Sequence, residues 1–144
     1  MIASDGSLRI IHDNGAEVRI PPESGRESVT QNGFSEIHVA NDHVHIGWLA
    51  DYMMCAQNYP CSMELVIYHS GNKLIYIDPP SGIPWRWKFL ADGGQVVLQY
   101  GLPHGDETGA YALYDTKTGR ELAGFSSRSK NAPKWVQQLR SSNN

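Results

Sequence analysis

The sequence predicts an all-β fold, with antiparallel hairpins forming an open, incomplete propeller-like arrangement of two to three blades and a short C-terminal helix. Three observations carry this. Short apolar runs are punctuated by Asn, Asp and Gly, tight turn dipeptides recur between them, and the hairpins so marked resemble one another. No long stretch shows a 3.6-residue apolar period before the C-terminus.

In chain order, Ser7–Asp13 and Ala16–Ile20 flank Asn14-Gly15, Ser35–Ala40 and His43–Leu49 flank Asn41-Asp42, and Met63–His69 and Lys73–Ile77 flank Gly71-Asn72. Each central pair suits the positive φ angles of a tight hairpin turn. Trp85–Ala91 and Gln95–Gly101 flank Gly93-Gly94, and Ala110–Asp115 and Glu121–Phe125 flank the turn 116–119. Residues 21–34, 50–61, 78–84 and 102–109 read as loops. The segments Leu8–Ile20, Glu64–Ile77 and Ala110–Phe125 share one plan of apolar strand, polar turn, charged residue and apolar strand. Taken in pairs, the hairpins give two four-stranded units, 34–77 and 85–125, near the ~40–45 residues of a propeller blade, preceded by a half unit at 7–20. Such a count cannot close a ring. The exposed edges need a cap, a second copy or a partner. One cap is the segment 131–140, where Pro133 follows Asn131 and Ala132 and a short helix presents Trp135, Val136 and Leu139 as an apolar stripe. Trp135 is read as core packing.

At 144 residues with 40% hydrophobic content, the chain can bury one core, and a single domain is expected over 1–144. Twelve Lys and Arg against 15 Asp and Glu leave a net charge of −3 and no basic stripe, which argues against nucleic acid as a partner. No window approaches the ~18 consecutive apolar residues of a membrane helix. Cys55 and Cys61 bracket a polar, proline-containing loop and are expected to pair, which would add roughly 2 kcal/mol by chain entropy and point to an oxidising compartment. Two reduced thiols are the plainer alternative. The segment Met1–Asp5 has no apolar export region, so a periplasmic location implies a signal already removed.

No nucleophile elbow, phosphate loop, His-Glu-x-x-His or dinucleotide fingerprint occurs, which favours binding over catalysis and implies no cofactor. A two-residue turn at Asn41-Asp42 would set His38 opposite His45 and place Glu36, His38, His43 and His45 on one face. That face could hold zinc, and a hydrolase built on His38, His43 and His45 is one hypothesis; a solvated hairpin face without metal is the simpler one. His104, Asp106 and Glu107 in the loop 102–109 lack calcium-loop spacing and read as a surface loop or a protein contact. Trp48, Trp85 and Tyr100 would form the stacking platform of an alternative function, a periplasmic carbohydrate- or peptidoglycan-binding module.

The loop Asp78–Pro84 is the most informative segment. Pro79, Pro80 and Pro84 restrict its backbone and Gly82 permits a turn directly after Ser81, so a small hydroxyl sits near the tip of a stiff connection, beside Ile83. A loop already ordered loses little entropy on entering a partner's cleft. Trp85 and Trp87 follow at strand spacing and should share a face.

The run Asp5–His12, the Cys55/Cys61 pair and the loop Asp78–Pro84 together resemble the periplasmic immunity proteins that protect Pseudomonas from its own type VI-secreted peptidoglycan amidase. The resemblance covers essentially the whole chain and rests on overall pattern. It implies a protein without enzymatic activity that plugs the active-site cleft of a secreted Cys/His amidase. In that family a serine on a protruding loop reaches the catalytic Cys/His pair. The position that fits is Ser81, with Pro80, Gly82 and Ile83 beside it. An inhibitor of this kind is expected to bind its partner through that loop, Pro79 included, assisted by His104, Asp106 and Glu107 of the neighbouring loop 102–109.

Overall fold

Twelve strands and one helix make up the computed structural model, which describes all residues except 27–28, 54–60, 104–108, 127, 129 and 143–144, with the side chains of 24–29 also excluded. Strands β1 (Leu8–Ile11) and β2 (Glu17–Ile20) form the first hairpin. Its turn is held by Asn14, whose side-chain oxygen accepts from the Ala16 N–H at 2.9 Å. Glu17 accepts from both Arg9 and Arg19 on the exposed face, and these hydrogen bonds, Arg9 foremost, push its carboxyl down to about 2.

Two antiparallel four-stranded meanders follow. The first contains β5 (Gly33–Val39), β6 (Ile46–Tyr52), β7 (Cys61–His69) and β8 (Lys73–Ile77), ordered as in the chain. The second contains β9 (Ile83–Leu90), β10 (Gln95–Gly101), β11 (Ala110–Asp115) and β12 (Glu121–Ser126), again side by side in chain order. These are the two units expected from hairpin pairing. The all-β, antiparallel class holds, the sheets are open, and two successive meanders are compatible with propeller blades.

The layers stack face to face. Leu49, Leu65, Ile67 and Ile77 of the first meander pack on Trp87, Val96, Leu98, Ala112 and Tyr114 of the second, forming the central core. The opposite face of the first meander, with Trp48, Ala50, Tyr52, Val66 and Tyr68, is covered by Leu8 and Ile10 of the β1–β2 hairpin. The opposite face of the second, with Val97, Tyr111 and Leu113, is covered by Val136 and Leu139 of α1 (Lys134–Arg140). Both faces of each meander are thus buried, which is why Leu65–Tyr68 and Tyr111–Tyr114 are uninterrupted apolar runs. Helix α1 starts one residue after Pro133, and the half-buried Trp135 packs against that third core, as expected for a cap.

Three local expectations change. The segment 21–34, read as loop, holds a small hairpin of β3 (Ser24–Arg26) and β4 (Val29–Thr30). Buried Gln31 anchors it by accepting from the Glu23 N–H at 3.1 Å and donating to the Gly33 carbonyl at 2.7 Å. The β9–β10 turn places Ala91 and Asp92, ahead of the expected Gly93-Gly94 pair, at φ 50° and 52°. The β5–β6 turn is longer than two residues, with consequences for the histidines described below. Among the described residues no helix is long and apolar enough to cross a membrane.

Candidate functional site

Strand direction sorts the connections between two ends of the stacked meanders. Tyr52 pairs with Cys61 and Ile83 with Gly101 at one end, where the loop 78–82 passes from the first meander to the second. The tight turns of both meanders gather at the other end, where the His69 ring meets the Thr116 carbonyl across the sheets.

Within the loop, Ile77 is buried, Asp78 is exposed, Pro79 is half-buried, Pro80, Ser81 and Gly82 are exposed, Ile83 is half-buried and Pro84 is buried. Buried anchors on both sides therefore present Ser81 to solvent. Gly82 has φ +64°, and a Cβ there would stand 2.1 Å from the Gly101 carbonyl oxygen, so the backbones of the loop and of β10 meet where only glycine fits. Pro84 lies in β9, an edge strand whose outer side needs no ladder donor.

Trp85 fixes the loop to its neighbour. Its indole Nε1 donates to the Leu102 carbonyl at 3.2 Å, and its ring fills the space left by two glycines, since a Cβ on Gly101 or Gly109 would come within 2.4 or 2.6 Å of it. The ends of the 102–109 loop are thereby joined to the Ser81 loop, and Leu102, 69% exposed, stands beside the contact. His104, Asp106 and Glu107 lie outside the described residues. The expectation that Trp85 and Trp87 share a face fails. The β9–β10 register shifts at Gln99/Tyr100, leaving Trp85 half-buried at the end of the sheet while Trp87 is buried in the central core.

The histidine face does not form. Asp42 accepts from the N–H groups of Val44 and His45 at 2.8 and 3.0 Å, and Ala40 and His45 close the turn by a backbone bond of 2.9 Å. This side-chain capping replaces the two-residue turn. A further register shift between Ser35 and His38 leaves His38 opposite Gly47 rather than His45. His38 lies edge-on to Trp87 with centroids 5.0 Å apart, His43 is exposed in the turn, and His45 faces Asp42 and His69. No group of three or more metal-ligating side chains occurs among the described residues.

The aromatic platform is dispersed as well. Trp48 is 1% exposed beneath the β1–β2 hairpin, Tyr100 is half-buried against the central core and Trp85 is half-buried at the end of the sheet against Gly101 and Gly109, so the three form no common platform. Cys61 is disulfide-bonded, and Cys55, the other cysteine of the sequence, lies outside the described residues.

A groove of about 790 Å³ opens between β5, β9 and the end of α1. Glu36, His38, Arg86 and Lys88 are among its lining residues. Its cations are engaged within the chain, Lys88 with Ser142 Oγ at 2.8 Å and Arg86 with Gln99 at 2.7 Å. Sequence reasoning had no signal for this groove, which arises from packing of distant edges.

The chain matches no family model, no curated protein and no solved structure.

Proposed function

We propose that this chain is an immunity protein of the periplasm that inhibits a secreted Cys/His peptidoglycan amidase by inserting the loop 78–84 into its active-site cleft. Two things support this: the resemblance carried by Asp5–His12, the cysteine pair and Asp78–Pro84, and the geometry of the loop. The observation that carries most weight is the exposure of Ser81 on a connection anchored by buried Ile77 and Pro84 and held at Gly82 against Gly101. A hydroxyl presented this way can hydrogen-bond a catalytic histidine while offering no scissile carbonyl, so the plug resists turnover. Preorganisation reduces the entropy lost on docking. Leu102, Ile83 and the Trp85 indole border the tip and supply apolar contact. The protein itself turns over no substrate.

The test is inhibition of the purified amidase by the purified chain and by its Ser81→Arg variant. Stoichiometric inhibition by the wild type, weakened at least tenfold by the variant at unchanged thermal stability, is expected. Absence of inhibition by the wild type refutes the function, and full inhibition by the variant refutes the role of the loop.

A further inference from the structure

At the end of the sheets opposite Ser81, polar groups from both meanders form one connected chain. Asp42, in the β5–β6 turn, accepts from Nδ1 of His45 at 2.5 Å. Since a carboxylate only accepts, His45 carries its hydrogen on Nδ1. The ring of His45 meets that of His69, the last residue of β7, edge to face with centroids 4.5 Å apart. His69 Nε2 donates to the carbonyl of Thr116 in the β11–β12 turn at 2.6 Å. Thr116 is 1% exposed and donates its hydroxyl to the Gly93 carbonyl in the β9–β10 turn at 2.6 Å. Gly93, at φ +100°, returns to the start, because a Cβ there would stand 2.7 Å from Asp42 Oδ2 and 3.0 Å from His45 Nδ1.

We propose that His69 forms a pH latch with His45, clamping the two meanders together while the His69 ring is neutral and releasing them as it is protonated. A proton on the half-buried His69 would lie edge to face with the His45 ring, whose own partner is the single Asp42 carboxylate. The surroundings of His69 give little relief. Lys73, its cross-strand partner in the β7–β8 hairpin, adds positive charge. Phe89 of β9, 6.5 Å from His45, adds none, and the β9–β10 and β11–β12 turns offer backbone carbonyls, the Asp115 carboxylate being engaged with the Lys117 N–H at 2.8 Å. Burial foremost, then the charges of His45 and Lys73, holds His69 below the ordinary histidine value, against the opposing pull of the Thr116 carbonyl and Asp42. A folded-state value below the unfolded one means that the latch contributes fully above about pH 6.5 and is lost as pH falls through the folded value of His69.

The experiment compares thermal unfolding of the full chain at pH 7.5 and pH 5.0 for wild type and His69→Gln, in which an amide N–H can still donate to Thr116 without taking up a proton. The fall in Tm on acidification is expected to be larger in the wild type by roughly 2–4 °C. An equal fall in both proteins overturns the proposal. Histidine side-chain NMR on the wild type decides the matter should the variant not fold: a His69 midpoint below about 6.5 is required, and one at or above it overturns the latch. Neither readout depends on what the Ser81 loop binds.

Discussion

Gly82→Ala puts the anchoring of the loop to a quantitative test. Alanine at φ +64° incurs about 1–2 kcal/mol of left-handed backbone strain. Its Cβ would also stand 2.1 Å from the Gly101 oxygen and 2.5 Å from the carbonyl carbon, and both atoms belong to the backbone of β10. Relief therefore separates Ile83 from Gly101, the first pair of the β9–β10 ladder, losing a hydrogen bond worth about 0.5–1.5 kcal/mol. The sum is roughly 1.5–3.5 kcal/mol, a fall in Tm of roughly 3–14 °C. Gly71→Ala is the matched control, since Gly71 has φ +88° and nothing within 4 Å of its added Cβ, leaving the strain alone. Thermal melts of the two variants side by side, followed by circular dichroism, isolate the contact with β10. If Gly82→Ala is no more destabilising than Gly71→Ala, the loop is not held against Gly101 and its stiffness has no structural basis.

Two further variants probe the sheets. Gly47→Val should destabilise by about 1–3 kcal/mol in urea unfolding, because its Cβ would press to 2.5 Å from the Trp87 ring and 2.9 Å from Ile67 in the packed interface between the meanders; an unchanged midpoint would show that the interface is looser than described. Tyr114→Phe should leave stability unchanged or raise it by about 1 kcal/mol, because the Tyr114 hydroxyl is buried without a hydrogen-bond partner among the described residues and burial raises its pKa; a loss above that size in the same assay would reveal a partner.

The legible parts of the fold are those written in local chemistry. Asn14-Gly15 and Gly71-Asn72 mark turns because their backbones adopt positive φ or their side chains close the turn, and Pro133 marks the start of α1. The meander units were legible through apolar runs between such turns. What escaped depends on side chains acting at a distance or out of register. Asp42 captures the Val44 and His45 N–H groups and lengthens a turn that Asn41-Asp42 reads as tight, which scatters the expected histidine face. Runs buried on both faces, such as Leu65–Tyr68, carry no alternation to say which residue faces which layer, and Trp48, which a carbohydrate-binding platform would need at the surface, lies in the core. For the site, prolines and Gly82 revealed a stiff loop. That Gly101 and Gly109 exist to seat Trp85, or that His45 meets His69, is a property of the folded arrangement with no sequence-local sign.

The claim that the loop occupies an active-site cleft is tested most directly by the rate at which iodoacetamide alkylates the catalytic cysteine of the amidase. With one equivalent of the wild-type chain the rate should fall at least tenfold, and with Ser81→Arg it should return towards that of the free enzyme. Alkylation at the free rate while the wild-type chain is demonstrably bound would place the contact elsewhere and contradict a Ser81 plug.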